Sequence, residues 1–368
     1  MTKKKFIKRL TFQLIRLKTL PDNRVALRLA LETIATTIQK ELGSKVAMKK
    51  FNQKGVCSLL AKNKSDKSIK ILLVSHIDIV PGKDSLFQPR LKNGLILGRG
   101  ALDMKGPLAA MIFSFIELIK KNRNLSLGLL ITSDEEIGGK NGARWLAPKF
   151  KKCKVAIIPD AHVNFDIVHL QKAPFHFKII FHGKSVHASR PWQGENAIEK
   201  LTSTLEQIKA LADNKKDGDT IAITQIDGGG ALNQIPQEAS ATIDARLTTQ
   251  PEKSDLIKKV KKICQTKNCD FEAIDKGLLF SVGKENKFIK LWKRIAEKRL
   301  KKQIKFAKEY GASDARFFTA AGIPAIITSP KGSGQHSNKE SVNLNSLCQL
   351  ADIIKEFLLK AEKQLEKS

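Results

Sequence analysis

Ile69-Lys70-Ile71-Leu72-Leu73-Val74-Ser75-His76-Ile77-Asp78 sets a short apolar run against a polar cluster, and the arrangement recurs along the chain. The apolar run at 125–131 ends in Ser133-Asp134-Glu135-Glu136, and the one at 155–158 ends in Pro159-Asp160. A third, at 325–327, leads into a glycine-rich loop before His336. Stretches with helical spacing lie between them at 107–121, 142–150 and 288–302. Short apolar runs bounded by turn residues read as buried strands. Their alternation with helices predicts an α/β unit with a mostly parallel sheet. In such sheets functional groups gather beyond the carboxyl ends of the strands, where these polar clusters fall.

The middle of the chain reads differently. Strands at 174–183, 220–226, 239–247 and 270–280, with helices at 196–213 and 251–266, give the order β-α-β-β-α-β of a ferredoxin-like α+β sandwich. A chain of 368 residues is too long for one ordinary core. Two domains are therefore expected: 1–172 together with 284–368, and an inserted domain at 173–283.

The formal net charge of +30 needs a reading of its own. Of 66 cationic residues 53 are Lys and 13 are Arg, whereas base-reading proteins lean on Arg. The sequence contains no Cys/His finger, RNP-like aromatic pattern or Arg-rich helix, so no specific nucleic-acid partner is expected. The inserted segment carries 15 Lys and Arg against 14 Asp and Glu, and the rest carries 51 against 22. The excess thus belongs to the larger domain, as a Lys-rich solvated shell able to steer carboxylate substrates.

The basic start, Met1-Thr2-Lys3-Lys4-Lys5, is followed by no uninterrupted apolar stretch of the kind a signal peptide needs. Phe6, Leu10, Leu14 and Leu17 recur at helical spacing and predict an amphipathic helix docked on its own domain. The longest apolar run, 107–116, is too short to span a bilayer, so no membrane partner is expected. Five scattered cysteines without a Cys-x-x-Cys pair read as reduced thiols of a cytoplasmic protein.

His76 lies in a His-x-Asp pair at a strand end. Alternate strand residues face the same way, so Asp78 can hold one imidazole nitrogen while the other binds a metal. Alone, the pair reads equally as a buried hydrogen bond. Gly98-Arg99-Gly100-Ala101-Leu102-Asp103-Met104-Lys105-Gly106 permits a tight turn that projects Asp103, which could otherwise be a helix N-cap. The adjacent acids Asp134-Glu135-Glu136 follow a buried strand and repel one another unless a cation or proton is shared. Asp160 follows another such strand, and His336 lies in Gly332-Ser333-Gly334-Gln335-His336-Ser337-Asn338-Lys339-Glu340. Two histidines and several carboxylates at the strand ends of one sheet suit zinc, with cobalt or manganese as substitutes. With a bridging carboxylate they suit a two-metal hydrolase whose ions lie roughly 3.5–4 Å apart. His162, His169, His176 and His182 read as structural, Trp192 and Phe317 as packing, and Asp314 as capping a helix or orienting a loop.

These motifs, in this order, resemble those of the zinc-dependent aminoacylase, acetylornithine deacetylase, succinyl-diaminopimelate desuccinylase and glutamate carboxypeptidase family. The likeness also takes in Gly183-Lys184-Ser185-Val186-His187-Ala188-Ser189-Arg190-Pro191, Gly194-Glu195-Asn196-Ala197-Ile198 and Gly311-Ala312-Ser313-Asp314-Ala315-Arg316-Phe317, and it covers nearly the whole chain. The resemblance implies that His76 and Asp160 bind one zinc and Glu136 and His336 the other. Asp103 bridges both and is followed by a cis peptide to Met104. It further implies that Asp78 orients His76 and that Glu135 is the general base and acid. His187 matches a lid histidine that reaches a substrate carbonyl, often in the partner subunit's site. Arg246 and Asn233 match lid positions that contact a substrate carboxylate. Two zinc ions per chain, a homodimer formed through the inserted lid domain, and a small amino-acid or peptide substrate follow from the same resemblance.

Asp160 departs from part of that family. The deacylases and carboxypeptidases mostly have Glu there, and the dipeptidase and aminopeptidase branches mostly have Asp. The shorter side chain favours a dipeptide or short peptide with a free amine. The overall length and compact lid resemble the desuccinylase-type members, so N-acyl-amino-acid deacylation is the alternative. A non-catalytic basic binding protein would lack one of His76, Asp103, Glu135, Glu136, Asp160 or His336, and all are present.

Overall fold

The structure, a computed structural model, describes residues 1–63, 68–121 and 125–366. The chain forms two compact units. One comprises Met1–His169, Ser281–Lys308 and Ser313–Ser368, and the other Leu170–Phe280 with Glu309–Ala312. Residues 309–312 thus fall in the second unit, although their sequence pattern groups them with the first.

At the centre of the first unit, the strands Leu127–Thr132, Ile71–His76, Val155–Ile158 and Ala325–Ile327 lie side by side in that order, all parallel. Every residue in them is buried, the pattern of a sheet covered on both faces. The helix Lys105–Lys121 packs on the first two strands, and the short helix Ala315–Ala320 packs on the other two. An antiparallel hairpin, Val46–Gln53 with Val56–Asn63, extends the sheet beside Leu127–Thr132. Its two-residue turn, Lys54-Gly55, has both residues at positive φ, which matches the twist of the flanking strands.

The first helix, Lys3–Arg16, buries Phe6, Ile7, Leu10 and Leu14 and packs against Lys105–Lys121 and Leu344–Glu366. At its end the Leu14 and Leu17 carbonyls accept from the Leu17 and Thr19 N–H groups, and the buried Lys105 side chain donates to both as well, each at 2.9 Å. Burial pushes the Lys105 pKa down to about 7. No described helix is long and apolar enough to cross a membrane.

A small antiparallel sheet in the same unit orders Gly332–Ser333, Ser341–Asn343, Leu95–Leu97 and Arg90–Lys92. It draws the segment that carries Asp103 against the segment that carries His336. The helix expected at 142–150 breaks into Ala143–Leu146 and a 3-10 turn, Ala147–Phe150, because Pro148 has no N–H to continue the ladder.

The second unit has the chain order β-α-β-β-α-β. Its strands Thr220–Gly228, Glu238–Leu247, Ala173–His182 and Asp270–Lys276 form an antiparallel sheet in that spatial order. Phe175, Phe177, Ile179 and Phe181 alternate along Ala173–His182 and build the core with Leu201 and Leu205 of Ala197–Lys209 and Val260 of Asp255–Lys267. The last helix starts later than its apolar spacing predicts. Pro251 opens a separate turn, and the Ser254 hydroxyl caps the helix by accepting from the Ile257 N–H. Trp192, read as packing, is instead 77% exposed.

Candidate metal centre

The register His76↔Thr132 sends the segments after two neighbouring strands out of the same sheet edge. One carries Asp78, and the other turns through Asp134 into the short 3-10 segment Glu135–Ile137. The Asp78 Oδ2 accepts from the Glu136 N–H at 2.8 Å and so joins the two segments. Asp134 shapes the return, its Oδ2 accepting from the N–H groups of Asn141 (2.8 Å) and Gly142 (2.9 Å). Asp103 precedes the helix Lys105–Lys121, with a cis peptide between Asp103 and Met104.

Two sets of three side chains come together among the described residues. His76, Asp103 and Asp160 place one donor atom each within 4.8 Å of one another, and so do Asp103, Glu136 and His336. Asp103 belongs to both. Its Oδ1 lies 3.0 Å from His76 Nε2, and its Oδ2 lies 3.0 Å from His336 Nε2 and also accepts from Gln335. His336 Nε2 is 3.3 Å from Glu136 Oε2. Gln335 was not singled out by its sequence context.

The residues fit a metal on chemical grounds. His76 Nδ1 faces the Asp78 backbone carbonyl at 3.1 Å, an acceptor only, so this nitrogen carries the proton and Nε2 is left as the ligating atom. The Asp78 carboxylate approaches the same Nδ1 at 3.4 Å. Burial would raise the Asp103 pKa, but hydrogen bonds from His336 and His76 hold it well below the carboxylate range. Burial would lower His76, yet Asp103 and Asp78 push it well above its ordinary value. Hydrogen bonds to Asp103 and Glu136 raise His336 to about 10. Glu135 keeps some accessible surface, but protein atoms crowd its carboxyl. That desolvation, with the neighbouring charges of Asp160, Asp314 and Glu136, moves its pKa well up. Burial likewise raises Glu136. The cluster therefore holds excess negative charge and gathers protons onto its histidines, the response expected where cations belong.

Asp314 is buried with its Oδ2 accepting from the Thr132 hydroxyl at 3.2 Å, and burial raises its pKa to about 7. It makes no cap hydrogen bond to the helix it precedes. Arg316, also buried, donates to the Gly138 carbonyl at 3.2 Å and so holds the turn that follows Glu135 and Glu136.

The other three residues belong to the second unit. His187 and Gln234 form an isolated antiparallel bridge, and the Ala188 N–H donates to the Asn233 carbonyl at 2.8 Å, so the His187 and Asn233 segments run side by side. His187 Nδ1 accepts from the Ser189 N–H at 3.2 Å and lies 2.7 Å from the Ser189 hydroxyl. The neutral ring therefore carries its proton on Nε2, as a donor. Arg246 forms a two-pronged pair with Asp244, through Nε and Nη2 at 2.9 Å each.

A parallel α/β sheet with clustered histidines and carboxylates beyond its strand ends, and a further acid beside them, defines a metal-dependent hydrolase. The chain belongs to peptidase family M20/M25/M40, whose profile matches residues 72–360, and it acts on amide bonds. Similar proteins include a succinyl-diaminopimelate desuccinylase of Helicobacter pylori, 28% identical over 76% of both chains. A LysW-lysine/LysW-ornithine hydrolase of Sulfurisphaera tokodaii is 28% identical over 75% of this chain and 77% of its own length. A tripeptidase structure from Staphylococcus aureus superposes with a TM-score of 0.82 at 21% identity, covering 96% of this chain and 97% of the other. A metallo-carboxypeptidase of Sulfolobus solfataricus reaches 0.77 at 18% identity, covering 96% and 98%. These structures share the fold.

Proposed function

We propose that the chain hydrolyses the amide bond of a dipeptide or short peptide with a free amine, with two zinc ions at the paired groups and Glu135 as the proton carrier. The observation that carries this reading is the sharing of Asp103 between the set with His76 and Asp160 and the set with Glu136 and His336. A divalent ion bound there supplies a Lewis acid and lowers the pKa of a water in its reach. Glu135 accepts a proton from the attacking water and delivers it to the leaving amine nitrogen. Its raised pKa brings it closer to the working pH of a general base. The Asp78 carbonyl fixes the proton on His76 Nδ1, and the Asp78 carboxylate holds the Glu136 backbone.

His187, with its proton on Nε2, is suited to donate to a substrate carbonyl oxygen as negative charge develops there. Asn233 and Arg246 are assigned to the substrate carboxylate. Nη1 of Arg246 takes no part in its pair with Asp244. The second unit is read as a lid through which two copies pair in a cytoplasmic dimer, which light scattering of the purified protein checks.

Asp160 supports the dipeptide, since its shorter side chain leaves room beside the metal. The desuccinylases among the similar proteins favour a second reading, removal of an N-acyl group from an amino acid. A panel of dipeptides, N-acetyl and N-succinyl amino acids, assayed with zinc and with cobalt, separates the two. Higher kcat/KM on a free dipeptide is expected, and higher kcat/KM on an N-acyl amino acid overturns the first reading.

A further inference from the structure

An arginine and a glutamate lie buried beside the two sets of side chains without belonging to either. Arg99 and Glu340 are 2% and 0% exposed in their side chains, and Arg99 Nη1 meets Glu340 Oε2 at 2.8 Å. The small sheet brings them together: Leu95–Leu97 pairs with Ser341–Asn343, and the Gly98 N–H donates to the Glu340 carbonyl at 3.2 Å. Their remaining polar atoms bond backbone, apart from Arg99 Nε, which is buried without a hydrogen-bond partner among the described residues. Glu340 Oε1 accepts from the N–H groups of Leu102 (3.0 Å) and Asp103 (3.2 Å). Arg99 Nη2 donates to the carbonyls of Pro81 (3.2 Å) and His336 (3.3 Å), and Nη1 to that of Ser337 (3.3 Å).

The pair therefore grips three segments: the one after His76 and Asp78, the one carrying Asp103, and the one carrying His336. Its hold is closest on Asp103 and His336, where it bonds the backbone of the residue itself. His336 has φ +56°, in the left-handed region that few residues with a side chain occupy, though histidine does so more often than most. Buried charge of this kind is costly unless paired and hydrogen-bonded, and a pair of hydrophobic residues of similar volume often serves stability equally well. Stability alone therefore gives a weak reason for an ion pair here, whereas the fixing of two ligand-bearing loops gives a specific one.

We propose that Arg99 and Glu340 are positioning residues that set the geometry of the Asp103–Glu136–His336 group, and so its affinity for metal. The inference rests on the reading that Asp103 and His336 hold a metal. The His76–Asp103–Asp160 group shares only Asp103 with the clamp and depends on it less.

The test uses the full chain freed of metal by chelation and titrated with Co2+, followed by its visible absorption and by competition with a chromophoric chelator. The double variant Arg99→Met, Glu340→Met removes both charges and keeps the buried volume. It is expected to stay folded, melting somewhat below the metal-free wild type because the Leu102 and Asp103 N–H groups lose their acceptor, and to bind one of two cobalt ions roughly 10–100-fold less tightly, with an altered spectrum. Glu340→Gln keeps an oxygen that can accept from Leu102 and Asp103 and is expected to fall between the two. It decides the matter by itself should the double variant fail to fold. Folded variants that bind both ions with wild-type affinity and spectrum overturn the clamp and leave the metal reading standing. Wild-type protein that takes up no cobalt overturns the metal reading and the clamp with it.

Discussion

Asp103 meets His76 Nε2 with one carboxylate oxygen and His336 Nε2 with the other, at 3.0 Å in each case. No other side chain belongs to both of the sets that could hold a metal. Removing it should therefore differ in kind from removing any other ligand. Asp103→Ala is expected to lose both metal equivalents and essentially all turnover, whereas His336→Ala retains about one equivalent. Elemental analysis of the dialysed proteins measures this directly. Equal metal loss in both variants would contradict the shared role of Asp103.

Metal affinity should rise with pH. Without a cation His336 holds its proton up to about 10, because Asp103 and Glu136 accept from it. A metal needs the deprotonated ring, so binding below that pH expels the proton, and alkaline conditions favour the metal. About a tenfold gain in affinity per pH unit is expected for each proton displaced. Calorimetry in buffers of different ionisation enthalpy counts those protons, and an affinity that stays flat from acid to neutral pH would refute the link.

The Ser189–His187 contact gives a graded prediction. Loss of the donor in His187→Ala should lower kcat by roughly 10²–10³-fold with metal content intact. Ser189→Ala removes only the hydroxyl contact, while the backbone N–H of residue 189 still donates to Nδ1 and keeps the proton on Nε2, so a smaller fall in kcat is expected, with little change in KM. Steady-state kinetics of both variants at saturating zinc settle the order.

Asp160→Glu lengthens one ligand by a methylene where the substrate amine is expected to sit. The ratio of kcat/KM for a dipeptide to that for an N-acyl amino acid should fall by roughly tenfold or more. An unchanged ratio would mean that Asp160 does not set the substrate class.

The parallel core was legible because each of its strands is an unbroken buried apolar run ending in a polar cluster, Ile71–His76 being the clearest. The hairpin of Val46–Gln53 and Val56–Asn63 was not, because its turn forces Lys54 to positive φ and lysines interrupt its alternation. The residues brought together at the centre could be read from short motifs, since each stands at a strand end or in a glycine-rich turn. Arg99 and Glu340 lie within two of those motifs, but their roles arise from a contact across 241 positions that no local pattern encodes. Trp192 shows the converse: a large apolar side chain suggests packing, yet it stands out in solvent.

Hydrolysis driven by Glu135 beside the paired metal groups is tested most directly by kcat of the zinc-loaded Glu135→Gln protein on a dipeptide, with its metal content measured on the same sample. Glu135 lies in neither of the sets that could hold a metal, so the variant should hold the same zinc as wild type, with about two ions per chain expected. Its kcat should fall by roughly 10²–10⁴-fold. A variant that keeps its zinc and most of its kcat would contradict Glu135 as the proton carrier.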